Sequence, residues 1–317
     1  MSAHRALAPA KVNLGLFLGP KRASDARHEL VTVMQSISLS DELTLDSAPS
    51  GVTDDQVICP GVAGPPAENL AAAALRAFRA ATGWDAAPLR LSIVKRIPVA
   101  AGLGGGSADA AAALRLARHA SGLGDEELLR ELGAELGADV PAQVRPGRWL
   151  ATGAGERLEE LPDPNPAGFG LLVVPAAVEL STAAVYAQAD LLGLARSTEE
   201  LADRRRALRA ALELSAPVPA ASGLLENDLQ EAAVSLCPEI ADGLKQVREA
   251  GADLALLSGS GPTVVGLFPH ANGPGRAERA AAALEGRSPA PICARPVDGA
   301  FAQANDFVVR HNHDREP

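Results

Sequence analysis

The chain has 317 residues, 47% of them hydrophobic and 21% charged, a balance typical of a globular protein large enough for two domains. A formal net charge of −10, with no Lys/Arg-rich run, argues against a nucleic-acid-binding surface. Three widely spaced cysteines fit neither a disulfide framework nor a zinc site, and no segment has the pattern of a signal peptide or membrane span. We therefore expect a cytoplasmic protein.

Hydrophobic periodicity in the first half of the chain predicts a mixture of strands and helices. The predicted elements are strands at Ala10–Phe17, Leu30–Leu45 and Leu89–Lys95, and helices at Glu68–Thr82, Ser107–Ala120 and Asp125–Leu136. Turn-forming residues at Ser40 and Asp41 predict a break in the second strand.

The second half begins with a proline-rich segment, Leu161–Gly168, which predicts a connection between domains. Beyond it, the patterns predict strands at Phe169–Pro175, Asp253–Leu257 and Thr263–Phe268, and helices at Ser197–Leu214 and Cys237–Gly251. The charged, histidine-rich end predicts a disordered tail over residues 306–317. We therefore expect domains at residues 1–160 and 161–305.

The segment Ile97–Asp109 carries the strongest chemical signal. Four glycines in five positions, Gly102 and Gly104–Gly106, follow a predicted strand and open into a helix at Ser107. Glycines allow backbone N–H groups to converge on one point, and a helix start adds unpaired donors, so the pattern favours a phosphate site over a plain tight turn. It fits neither the Walker A loop nor the dinucleotide-binding motif.

Other residues gain significance beside this glycine loop. Lys11 and Asn13 share one face of the first strand, although a lysine at a strand edge is usually solvated. Asp139 is either a helix N-cap before Pro141 or a base and partner for Lys11. Ser258–Gly261 is either a bulged turn or a second wall of the same site, and His28 taken alone is expected at the surface.

Three motifs in order resemble the superfamily of small-molecule kinases named for galactokinase, homoserine kinase, mevalonate kinase and phosphomevalonate kinase. They are Pro9–Leu14, Ile97–Asp109 and Leu257–Thr263. Within it, five further segments resemble the 4-diphosphocytidyl-2-C-methyl-D-erythritol kinases: His28–Gln35, Gly137–Pro141, Gly153–Glu156, Ser181–Tyr186 and Glu226–Leu229. The resemblance implies an α+β fold, with a ribosomal-protein-S5-like N-terminal domain, a ferredoxin-like C-terminal domain and the active site in the cleft between them.

The resemblance also implies an activity, the phosphorylation of the 2-hydroxyl of the diphosphocytidyl substrate by ATP with Mg²⁺. Lys11 and Asp139 would be the catalytic pair. The residues implied at ATP are Asn69, Lys95, Pro98, Gly102, Leu103, Gly104, Gly105, Gly106 and Ser107, with Ser107 a candidate to act through Mg²⁺. Those implied at the acceptor substrate are Asn13, Arg27, His28, Tyr186, Gly259 and Ser260.

One departure from the family bears on substrate choice. Arg27 stands where the family has a tyrosine that forms one wall of the cytosine slot opposite Tyr186. A guanidinium can also stack on a base, but a kinase for another alcohol, such as homoserine, is an alternative. A non-catalytic nucleotide-binding relative is a second alternative. We expect a small-molecule partner, no nucleic acid or membrane, and a monomer or weak homodimer.

Overall fold

The computed structural model describes residues 3–164, 169–213, 222–270 and 272–307. The strands are β1 Ala3–Lys21, β2 His28–Ser47, β3 Gln56–Ile58, β4 Leu89–Val94, β5 Arg148–Gly153, β6 Arg157–Leu161, β7 Phe169–Val174, β8 Leu254–Leu257, β9 Val264–Pro269, β10 Ile292–Ala294 and β11 Asn305–Phe307. The α-helices are α1 Leu70–Thr82, α2 Gly105–Ser121, α3 Glu126–Leu136, α4 Val140–Val144, α5 Thr182–Leu192, α6 Thr198–Glu213, α7 Gln230–Leu236, α8 Glu239–Glu249 and α9 Gly273–Ala283. No helix among these residues has the length and hydrophobicity to cross a bilayer.

The strands form two sheets. The first has seven strands, with β11, β1, β2, β4 and β3 side by side, while β5 pairs with the first half of β2 and β6 pairs with β5. The second has four antiparallel strands in the order β10, β7, β9, β8. Helices pack on both sheets, which gives the α+β class that the resemblance implies.

The predicted break in the second strand is wrong. β2 runs unbroken for 20 residues, but its register against β1 shifts between Pro9, opposite Ser40, and Lys11, opposite Ser36. This shift leaves residues 37–39 of β2 unpaired with β1, and Ser38 N donates instead to the Arg295 carbonyl at 2.8 Å. Ser40 and Asp41 themselves stay paired with Pro9 and Ala8, and the bulge lies just before them, where the C-terminal half of the chain satisfies the backbone groups.

β1 also ties the two sheets together. Leu16 forms a parallel bridge with Asn227, its N–H donating to the Glu226 carbonyl at 2.8 Å and its carbonyl accepting from Asp228 N at 2.9 Å. The side chains of Leu16 and Leu18 are buried in the core of the second sheet. The face of β1 that carries Lys11 is therefore held against segments from the second half.

Helix α2 lies in the main core, and its buried alanines let it approach α1 and the first sheet closely. The packing therefore holds the glycine-rich start of α2 in a fixed position beside β1.

At the other end of the chain, the predicted tail is partly structured, because Asp306 and Phe307 pair with His4 and Ala3 of β1. Residues 308–317, and residues 165–168 of the predicted connection, lie outside the described part.

Candidate active site

Two cavities meet at the glycine loop, which we define as residues 97–107. The α1-side cavity, of about 540 Å³, is lined by the loop, by Asn69 at the start of α1 and by Lys95. The β1-side cavity, of about 330 Å³, is lined by Lys11, Asp139, Tyr186 and the second glycine turn. Gly102, Gly104 and Ser107 line both, so the loop is a shared wall that a group could reach from either side.

The loop is fixed by backbone contacts with both halves of the molecule. Lys11 N donates to the Leu103 carbonyl at 3.0 Å. Gly102 has φ +74°, and a Cβ there would lie only 2.5 Å from the Gly261 carbonyl oxygen of the second turn. The first turn of α2, from Gly105, leaves N–H groups without intrahelical partners at the positive end of the helix dipole. The geometry is that of an anion site.

Lys11 and Asp139 meet in the β1-side cavity. Lys11 Nζ lies 3.3 Å from Asp139 Oδ2 and donates to Asn13 Oδ1 at 2.9 Å. Asp139 precedes α4 but makes no capping hydrogen bond, so the N-cap interpretation does not account for its side chain. A buried ammonium and a carboxylate that is about one-third exposed thus face the same space.

Asn13 is oriented by residues that sequence reasoning did not single out. Its Nδ2 donates to Thr32 Oγ1 at 2.8 Å, and that hydroxyl donates to the Gly15 carbonyl at 2.6 Å. The second turn is positioned similarly by Asn227, whose Nδ2 donates to the Leu257 and Gly259 carbonyls at 2.8 and 2.7 Å. Asn227 lies in the segment Glu226–Leu229, for which the sequence shows only a family resemblance. Its contacts with the second turn depend on tertiary structure.

Lys95 lines the α1-side cavity, but its ammonium is bound beneath the glycine loop. Its Nζ donates to Asp41 Oδ2 at 2.5 Å and to Asp109 Oδ2 at 2.8 Å. The other oxygen of Asp41 accepts from the backbone of Arg96 at 2.5 Å and Ile97 at 2.8 Å, so one fully buried carboxylate fixes the entry to the loop. Apart from its place in a predicted turn, Asp41 has no sequence signal that points to this role.

The two carboxylates of this cluster are not equivalent. Burial raises the pKa of the Asp109 carboxyl, although the charge of Lys95 opposes the shift. Burial alone would lower the pKa of Lys95, but Asp109 and Asp41 outweigh it and raise the pKa. Asp109 Oδ1 has no hydrogen-bond partner, while both oxygens of Asp41 accept hydrogen bonds, so a proton taken up by the cluster goes to Asp109.

Tyr186 lines the far end of the β1-side cavity, and burial raises the pKa of its hydroxyl to about 12, with the charge of Asp139 adding to the effect. His28 contacts it, with ring centroids 5.7 Å apart at 42°. His28 is buried, so the expectation that it lies at the surface is wrong. Its Nδ1 donates to the Gly19 carbonyl at 2.7 Å, and its Nε2 lies 3.0 Å from Asp190 Oδ1.

Asp190, which sequence reasoning also missed, is an ionised group. Lys21 Nζ lies 2.6 Å from its Oδ2 and holds the pKa of the carboxyl below its usual range, with His28 contributing. The ring of His28 is therefore held behind Tyr186 by its Nδ1, while its buried Nε2 lies beside the Asp190 carboxylate without forming a hydrogen bond.

The structure does not bring Arg27 into this cavity. Its side chain is half-exposed, and its Nε donates to Asp25 Oδ2 at 2.8 Å.

The remaining predicted residues lie at the cavity walls. Gly259 and Ser260 line the β1-side cavity, where Ser260 Oγ lies 2.9 Å from Thr182 Oγ1. Pro98 lines the α1-side cavity, as does Asn69, whose Oδ1 caps α1 by accepting from Ala71 N at 2.9 Å.

Comparison with known proteins finds a family model in each half of the chain. The family model "GHMP kinases N terminal domain" matches residues 69–147, and "GHMP kinases C terminal" matches residues 199–288. A 4-diphosphocytidyl-2-C-methyl-D-erythritol kinase of Kineococcus radiotolerans is 42% identical over 287 residues, which cover 88% of this chain and 85% of that protein. One of Pelotomaculum thermopropionicum is 44% identical over 265 residues, 83% of this chain and 88% of that protein.

Solved structures show the same likeness. A crystal structure of 4-(cytidine 5'-diphospho)-2C-methyl-D-erythritol kinase superposes with a TM-score of 0.72 at 32% identity, covering 93% of this chain and 99% of that chain. A homoserine kinase from Cytophaga hutchinsonii also gives 0.72, covering 96% and 98%, but at 17% identity it shows only the shared fold. This chain belongs to the GHMP kinase family and, within it, to the 4-diphosphocytidyl-2-C-methyl-D-erythritol kinases.

Proposed function

We propose that this chain transfers the γ-phosphoryl group of ATP to the 2-hydroxyl of 4-diphosphocytidyl-2-C-methyl-D-erythritol. The observation that supports the proposal is the Lys11–Asp139 pair, whose Nζ and Oδ2 atoms lie 3.3 Å apart in the β1-side cavity. The α1-side cavity lies on the other side of the glycine loop. ATP would occupy the α1-side cavity with its phosphates on the first turn of α2. The acceptor alcohol would occupy the β1-side cavity.

In the proposed reaction, the acceptor oxygen attacks the γ-phosphorus, the bond to the β–γ bridging oxygen breaks, and ADP leaves. Asp139 accepts the hydrogen bond of the attacking hydroxyl and takes its proton. Lys11 neutralises charge that accumulates on the transferring phosphoryl group, and Asn13 holds both Lys11 and the hydroxyl in place. Phosphoryl transfer requires mainly positioning and charge stabilisation, which these residues can supply.

The site also suits a hard divalent cation such as Mg²⁺. Ser107, which carries a hydroxyl, lines both cavities, and Asp109, on the α1 side, has a buried carboxylate oxygen without a hydrogen-bond partner. When bound, Mg²⁺ would neutralise part of the triphosphate charge. Mg²⁺ as the cation, cytoplasmic residence and a monomer or weak homodimer are parts of this proposal.

The test compares acceptor alcohols at a fixed concentration of Mg-ATP. ADP release is followed separately with the diphosphocytidyl substrate, homoserine and mevalonate, and phosphorus NMR identifies the position phosphorylated. We expect turnover only with the diphosphocytidyl substrate and a new phosphate ester on its 2-oxygen. Turnover only with homoserine or mevalonate would overturn the substrate, and ATP binding without transfer to any alcohol would overturn the activity.

A further inference from the structure

Three potential metal ligands from distant parts of the chain meet at the edge of the first sheet, at the opposite end of α2 from the glycine loop. His4 lies at the start of β1, His119 in the last turn of α2, and Asp306 in β11. Their ligand atoms all lie within 4.8 Å of one another. The α-helical rise of about 1.5 Å per residue puts His119 roughly 20 Å from the start of α2.

The contacts within this cluster converge on a single oxygen atom. Asp306 Oδ1 lies 3.0 Å from His4 Nδ1 and 3.1 Å from His119 Nε2, and the two rings meet edge to face with centroids 5.1 Å apart. The register of the sheet sets this up, because His4 and Asp306 are directly opposed in the β1–β11 pair.

These separations are close to what a tetrahedral zinc site requires. Zinc–nitrogen and zinc–oxygen bonds of about 2.1 Å give ligand-to-ligand edges of about 3.4 Å, so the two short edges need to open by only a few tenths of an ångström. The third edge, between the two histidine nitrogens, is at most 4.8 Å and needs to close by up to about 1.4 Å, which the partly exposed His119 side chain allows. Two imidazoles and a carboxylate are a donor set that zinc favours.

Burial and charge also suit a cation. His4 is buried and fixed in β1, so one ligand is preorganised, whereas the Asp306 side chain is 76% exposed and leaves room for a water as the fourth ligand. Asp306 supplies a carboxylate as the one anionic ligand beside two imidazoles.

We propose that His4, His119 and Asp306 bind one Zn²⁺ ion per chain. The ion replaces the two histidine–aspartate contacts with metal bonds and joins β11, the last described element, to β1 and α2. It acts on stability rather than on catalysis, because the cluster lies at the far end of α2 from the glycine loop. Metal binding requires neutral imidazoles, so affinity falls as the pH is lowered.

The experiment uses the full-length protein, stripped with a chelator and then titrated with Zn²⁺ alone at pH 7.5. Zinc affinity and stoichiometry are measured by competition with a chromogenic chelator, and the melting temperature is recorded with and without zinc. His119→Asn is the test variant, since His119 is partly exposed and its replacement is easily tolerated. The matched control is His270→Asn, because His270 is exposed, lies outside the cluster and has φ +85°, a conformation that asparagine tolerates.

We expect one zinc per chain and a rise in melting temperature for the wild type and for His270→Asn. We expect His119→Asn to bind zinc at least tenfold more weakly and to lose the rise in melting temperature. A double variant, His311→Asn with His313→Asn, tests the other histidines near the C-terminus and should bind zinc like the wild type. Absence of zinc binding by the wild type, unchanged affinity in His119→Asn, or loss of binding in the double variant would overturn the proposal.

Discussion

The contact between the two glycine turns makes Gly102→Ala a quantitative test of the site geometry. A Cβ at Gly102 would lie 2.5 Å from the Gly261 carbonyl oxygen, and ordinary contact begins at 3.4 Å, so the turns must separate by about 0.9 Å. A displacement of about 1 Å near reacting groups can reduce the rate by roughly 10²-fold. The left-handed backbone adds about 1–2 kcal/mol of strain, and the overpacking a further 1–3 kcal/mol.

Gly122→Ala is the matched control. Gly122 ends α2 with φ +70°, but a Cβ there would meet nothing within 4 Å. It should therefore lose stability only through backbone strain and keep its activity. The assay is kcat/KM with the diphosphocytidyl substrate and ATP, together with the melting temperature. Values of kcat/KM within about threefold of each other for the two variants would refute the idea that the turns hold the reacting groups in place.

Ser107→Ala should raise the KM for Mg-ATP about tenfold, because Ser107 lines both cavities and its hydroxyl is a candidate ligand for Mg²⁺. An unaltered ATP saturation curve would argue against that role. Arg27→Tyr should change the KM for the diphosphocytidyl substrate less than about twofold, because Arg27 pairs with Asp25 outside the cavity. A tenfold lower KM would instead place residue 27 in the cytosine slot. Burial raises the pKa of Asp109 in the folded protein, so its contribution to stability is complete at low pH and is lost as pH rises through that pKa. The free energy of unfolding of Asp109→Asn minus that of the wild type should therefore increase between about pH 4 and pH 7, by up to about 1.4 kcal/mol per pH unit, and level off above pH 7. A constant difference would contradict the assignment.

The local patterns predicted most elements and the pieces of the site. Lys11 and Asn13 on alternate positions of one strand do share a face, and the glycine loop does lead from a strand into a long buried helix. These predictions succeeded because they depend on backbone periodicity and glycine conformation, which are properties of short segments.

The failures involve partners that are distant in sequence. Asp41 has turn-forming character, yet it lies within a continuous strand because its carboxylate binds Lys95 and the backbone that enters the glycine loop. His28 is buried, rather than exposed, because Lys21 and Asp190 supply charges around it from β1 and α5. Neither pairing leaves a signal in the neighbouring residues, so only the tertiary structure reveals it.

The kcat of Asp139→Asn with saturating ATP and diphosphocytidyl substrate shows whether the Lys11–Asp139 pair carries out the phosphoryl transfer. Asparagine keeps the size of the side chain but cannot accept the proton of the attacking hydroxyl. Asp54→Asn, at an exposed aspartate away from both cavities, is the control. We predict that kcat falls by about 10²–10⁴-fold in Asp139→Asn, with an unchanged melting temperature and little change in Asp54→Asn. A kcat for Asp139→Asn within a few-fold of the wild type would contradict a catalytic role for Asp139.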